Sequence, residues 1–138
     1  MEQEHELNFL FHPILVHFPI AFYFLEFVLL LFWLAKQDES YLKFALFSFK
    51  SGYFFMILAM IAGLRDAGGF GEITGRVRTH ALAAASVFAI YTARACFWRF
   101  GKTEDRFYKL THILFVVVGN LLVALTGYFG GLLVYGGT

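Results

Sequence analysis

Three histidines and one aspartate, all near the ends of apolar runs, are the groups in this 138-residue chain best suited to chemistry. His12 and His17 fall within His12-Pro13-Ile14-Leu15-Val16-His17-Phe18-Pro19-Ile20, and Asp66 and His80 flank a glycine-rich connection. Imidazoles near a membrane boundary on facing helices are what bis-histidine ligation of a b-type haem requires, one axial nitrogen from each side of the macrocycle. The pair expected for that role is His17 and His80, with His12 replacing His17 if a kink at Pro19 turns it inward. The same imidazoles with a carboxylate would instead suit a transition-metal ion, held by His12, His17, Asp66 and His80. His12 and His17 are about 140° apart on an ideal helix, so they do not share a face. Plainer uses compete: an interfacial histidine bonded to a loop or headgroup, and Asp66 paired with Arg65, Arg76 or Arg78. No nucleophile–base pair of the usual hydrolase kind is visible. A carrier or subunit is therefore expected rather than an autonomous enzyme.

A second constellation lies deeper. Glu26 and Lys50 come at matching depth on consecutive apolar runs, and an unpaired charge there would be costly, so a buried ion pair between them is the economical expectation. On an ideal wheel Glu26 shares a face with His12 and opposes His17. Farther on, His112, Gly119, Asn120, Gly127 and Gly131 recur at helical spacing. Gly119 and the Gly127/Gly131 pair are read as close helix-packing positions, within a bundle or in a homodimer. Arg94 and Arg99 are read as snorkelling to headgroups, and Cys96 as a small apolar helix residue.

These residues need elements to hold them, and composition says which. The chain is 59% hydrophobic with 19 phenylalanines and a mean hydropathy of +0.67, far from the soluble norm. A net charge of +1 offers no basic stripe for nucleic acid. Four apolar runs, at about 12–35, 42–64, 79–100 and 107–135, are each long enough to cross a hydrocarbon core of about 30 Å. The expected architecture is an all-α integral membrane protein, a single domain comprising a four-helix up-down bundle. Pro13 suits the first helical position of the first span, and Trp33 an interfacial anchor at its far end. The acidic start, Met1-Glu2-Gln3-Glu4-His5-Glu6, is unlike a signal peptide's basic lead, so the first span is expected to be retained. No internal repeat is evident. The turns after spans one and three, with the neighbouring helix ends, carry Lys36, Lys43, Arg94, Arg99, Lys102, Arg106 and Lys109, against Arg65, Arg76 and Arg78 on the other side. The positive-inside rule then puts both termini on the periplasmic side of a bacterial inner membrane.

Three stretches resemble a known family. His12 to Ala21 is similar to the signature of the small bacterial membrane proteins called domain of unknown function 2231. Gly63-Leu64-Arg65-Asp66 with His80-Ala81-Leu82 resembles that family's middle, and Thr126-Gly127-Tyr128-Phe129-Gly130-Gly131-Leu132-Leu133-Val134-Tyr135 its end. The family's histidine-glycine step after that tyrosine is replaced here by Gly136-Gly137. The resemblance implies four spans and no settled activity. Some relatives accompany c-type cytochromes or respiratory genes, and the layout resembles four-helix membrane b-type cytochromes. That implies haem b and electron transfer between quinol and a periplasmic cytochrome or larger respiratory complex. With only His112 on the cytoplasmic side, at most one bis-histidine haem fits. The alternatives are a cofactor-free assembly subunit of a larger complex and a periplasmic-face metal-binding or transport protein.

Overall fold

The computed structural model describes the backbone of residues 2–100 and 106–135, and the side chains of 11–99, 107 and 109–135. The side chain of His5, residues 101–105 and the Gly136-Gly137 tail lie outside these described residues. Four long helices make up almost all of the described chain: α1 (Glu2–Lys36), α2 (Glu39–Asp66), α3 (Gly75–Phe100) and α4 (Arg106–Tyr135), with a single 3-10 turn at Phe70–Glu72. Each contains a stretch long and apolar enough to span a membrane: Phe11–Lys36, Glu39–Asp66, Gly75–Arg99 and Lys109–Tyr135. Large apolar side chains stand exposed along all of them, among them Phe24, Phe47, Leu82 and Leu121. Water would not tolerate so much exposed apolar surface; hydrocarbon would.

The start of α1 departs from expectation. Pro13 was placed at the first helical position, but both Pro13 and Pro19 lie inside a 35-residue helix that begins at Glu2. The acidic lead is rich in Glu, Gln and Leu, which are good helix formers, so the helix begins ahead of the apolar run. Each proline removes one backbone donor from the ladder. One turn behind His17, the Pro13 carbonyl also accepts from that residue's ring, at 2.6 Å.

Two short connections are chemically specified. Gln37 takes a left-handed φ of 54° to end α1, and its side-chain amide donates to the Leu34 carbonyl at 2.7 Å. Asp38 then caps α2, its Oδ1 accepting from the Ser40 N–H at 2.9 Å and the Ser40 hydroxyl at 2.6 Å. Trp33, expected as an interface anchor, is buried beside this turn and donates to Glu39 at 3.2 Å. At the other end of α2 the Gly69 N–H reaches back to the Leu64 carbonyl, with Gly68 at φ 81° and Gly69 at φ 101°. Those conformations call for glycine. Gly63, which precedes these loop glycines in the sequence, is inside α2.

The chain divides into two compact units, residues 1–78 and 79–138. In the first, α1 packs along α2 with Tyr23, Leu30, Phe49, Met56 and Ala59 buried. Phe55 stacks against Phe18 at 4.6 Å and against Phe22 at 6.0 Å. In the second, Val87 and Tyr91 of α3 and Val116 of α4 are buried. Lipid offers no water to expel, so close packing and polar links must hold each pair of helices together.

Candidate histidine site

His12 sits near the membrane-facing start of α1 and is half-buried. Its Nδ1 bonds the Ala59 carbonyl on α2 at 2.8 Å, and its ring lies directly over Gly63. A Cβ built at Gly63 would stand 2.8 Å from the ring's Cε1. A carbonyl oxygen only accepts, so Nδ1 carries the proton, and in the neutral ring Nε2 keeps the lone pair. His80, half-buried at the start of α3, repeats this arrangement in the other unit. Its Nδ1 donates to the Thr126 carbonyl on α4 at 3.1 Å, and its ring lies over Gly130, whose Cβ position is 3.1 Å from Cε1. His17 behaves differently. It is exposed, and its Nδ1 donates to Pro13 of its own helix.

Backbone-bonded Nδ1–H is the usual second contact of a metal-ligating histidine, because it fixes the tautomer and aims Nε2. Of the histidines expected as ligands, His12 and His80 are thus anchored on a neighbouring helix, while His17 faces outward. The wheel argument from Glu26 pointed this way. Glu26 is completely buried and shares the His12 side of α1.

Several expectations are corrected. Lys50 is exposed on α2 whereas Glu26 is buried, so the two do not form the buried ion pair. Lys50 sits one position past Phe49 and two before Gly52, both buried, and that places it on the outer side of its helix. Among the described residues no three of the His, Cys, Asp and Glu side chains form a metal-binding group, and Asp66 stands half-buried in the last turn of α2. Gly119 does pack closely, with the Tyr91 ring 2.8 Å from its Cβ position. Gly127 and Gly131 do not pack within the described chain, since a Cβ at either would meet nothing within 4 Å. The seated glycine of that segment is Gly130.

Arg94 does not snorkel. It is fully buried and donates from Nη2 to His112 Nε2 at 3.0 Å. Trp98 meets the same imidazole edge-on at 4.2 Å, and the guanidinium carbon lies 5.6 Å over the Trp98 ring. An arginine stays charged at any relevant pH, so its buried head needs acceptors and π faces in place of water.

A family model described as "Predicted membrane protein (DUF2231)" matches residues 9–138. The chain belongs to this family. The match takes in all four spans of the DUF2231 chain, with His12, His17, Asp66 and His80. No curated protein and no solved structure matches it.

Proposed function

We propose that this DUF2231 protein is a multi-pass subunit of a bacterial inner membrane that holds one b-type haem near its periplasmic face and carries electrons. Both termini are on that face. In that role the protein would carry electrons between a membrane quinol and a periplasmic cytochrome or a larger respiratory complex. The observation that carries this reading is the state of the imidazoles. At His12 and His80 the Nδ1–H is tied to a backbone carbonyl, the outer contact that a haem- or metal-ligating imidazole commonly makes. When bound, haem would supply a reversible one-electron couple; the protein would fix the ring orientations and the dielectric around them.

The test is an absorption spectrum of the full-length protein purified from haem-replete cells, oxidised and then dithionite-reduced. A reduced α-band with a sharpened, shifted Soret band is expected. A colourless protein would sink the proposal.

A second reading has one observation in its favour. Gly127 and Gly131 present an open GxxxG face on α4, the kind of surface a helix of a partner or a second copy packs against. On that reading the chain is a cofactor-free assembly subunit. Colourless protein that co-purifies with a larger membrane complex would favour it.

A further inference from the structure

The turn between α1 and α2 holds a cation in a fixed place at the edge of the bilayer. The apolar span of α1 ends at Lys36 and that of α2 begins at Glu39, so the exposed Lys36 ammonium stands at headgroup level. A lysine ordinarily carries its charge on a freely turning four-carbon stem. This one is braced. Its Nζ donates to the Tyr41 hydroxyl at 3.2 Å and lies 5.6 Å from the centre of the Phe32 ring and 5.5 Å from that of Tyr41. The two rings are themselves stacked across the hairpin, at 5.5 Å and 26°. All of these contacts are made within the first unit.

The brace has a chemical direction. The Tyr41 oxygen accepts from Lys36, so the proton of the phenol is directed elsewhere. An ammonium and a phenol O–H side by side suit one anion that offers several oxygens, as a phosphate does. The two carboxylates of the turn take other donors: Asp38 accepts from the Ser40 N–H and hydroxyl, and Glu39 from the Trp33 indole N–H.

Below the ammonium the surface is apolar. Leu25, Phe32 and Lys36 come at spacings of seven and four residues, so they share one side of α1. Tyr41 and Phe44, three apart, share one side of α2, and the Phe32–Tyr41 stack joins the two sides. Leu25, Phe32 and Phe44 are exposed. From Lys36 down to Leu25 is about 16 Å along the helix, close to half of a hydrocarbon core of about 30 Å. A charged head over an apolar strip one leaflet deep is the outline of a phospholipid.

We propose that this side of the first hairpin binds one phospholipid of net negative charge. Lys36 Nζ and the Tyr41 O–H hold its phosphate, and an acyl chain lies along Phe32, Phe44 and Leu25. The aromatic faces that would attract a quaternary-ammonium headgroup already carry the Lys36 ammonium, so an anionic lipid is preferred over a zwitterionic one. Neither the haem nor the direction of insertion enters into this site.

Native mass spectrometry of the full-length protein, titrated in detergent with phosphatidylglycerol or phosphatidylcholine, tests it. The wild type should retain one phosphatidylglycerol in preference to phosphatidylcholine. Lys36→Gln should weaken that binding by about fivefold, and Lys36→Arg should recover most of it. Tyr41→Phe, which keeps the ring stack and removes only the hydroxyl, should weaken it by about threefold. Lys43 carries the same charge but lies about 200° round α2 from Tyr41, so Lys43→Gln should change little. Equal losses in Lys36→Gln and Lys43→Gln would reduce the effect to surface charge and overturn the site. So would equal retention of the two lipids by the wild type. Displacement of phosphatidylglycerol by an equimolar amount of inorganic phosphate would assign the donors to a free anion and overturn it too. Should Lys36→Gln fail to fold, Tyr41→Phe decides alone, and unchanged affinity in that variant would overturn the proposal.

Discussion

A ring laid on a glycine is an all-or-nothing contact, because the smallest possible side chain on that glycine already occupies the ring's place. Gly52→Ala and Gly119→Ala would each put a Cβ 2.8 Å from a buried tyrosine ring, and we expect either to destabilise the protein by about 1–3 kcal/mol, the usual cost of overpacking. Gly131→Ala meets open space and should gain helix propensity instead, up to about 1 kcal/mol. Thermal unfolding of the three variants in detergent measures the contrast, and equal losses in all three would refute it. At this scale the sequence was only partly legible. The inward aim of His12 followed from the wheel it shares with Glu26. The seats did not, since Gly63 looks like a loop residue before Gly68 and Gly69, and Gly130 is hidden beside the more familiar spacing of Gly127 and Gly131. Arg94 escapes the reading for a related reason: an arginine near a helix end normally reaches water, whereas here His112 and Trp98 approach from nearby in the chain and provide an alternative. The signal that could have found these contacts is the recurrence of histidine and tyrosine at a separation of 11, with two glycines at the same separation downstream.

Among the elements, the spans were the most legible feature, because a run of some 25 apolar residues has few other uses. Their boundaries were less so. Pro13 suggested a start that the helix-forming acidic lead overrides. The start of α2 rests on Asp38, whose carboxyl is held below the usual carboxylate range first by the Ser40 hydroxyl, then by the Ser40 N–H, with smaller help from Lys36 and Lys43. A carboxyl group with a folded pKa below its unfolded one adds stability that is fully present above the ordinary value of 3.8 and is lost as pH falls through the lower folded value. Asp38→Ala should therefore lower the melting temperature at neutral pH, and its deficit should shrink as the medium is acidified below 3.8. Asp38→Asn, which caps nearly as well, should stay close to wild type at neutral pH. Circular-dichroism melts across that range check the sign. A deficit for Asp38→Ala that grows on acidification would rule out this role for the cap.

For the whole molecule, the proposed orientation rests on the distribution of basic side chains. Burial of Arg94 removes it from the count near the turns, but Lys36, Lys43, Arg99, Lys102, Arg106 and Lys109 remain against Arg65, Arg76 and Arg78. Single cysteines placed in a Cys96→Ser background provide the measurement. A cysteine near residue 70 or at either end of the chain should react with an impermeant maleimide added to intact cells, and one at Gln37 should react only after permeabilisation. The reverse pattern would invert the topology and move the histidines to the cytoplasmic face.

The division at residue 78 also bears on how the protein is made. By the time α3 is being synthesised, the preceding hairpin already contains the acceptor for His12, the seat for Tyr23 and its own capped turn. Its awkward imidazole has a partner before any later helix exists. The second hairpin brings Thr126 to His80 and His112 to Arg94 in the same self-sufficient way. Insertion can then advance by pairs of helices, so that the polar groups carried into lipid wait for one neighbour rather than for the finished bundle. A buried arginine, the most expensive group in the chain to leave alone in hydrocarbon, is released into the membrane only 18 residues ahead of the histidine that receives it.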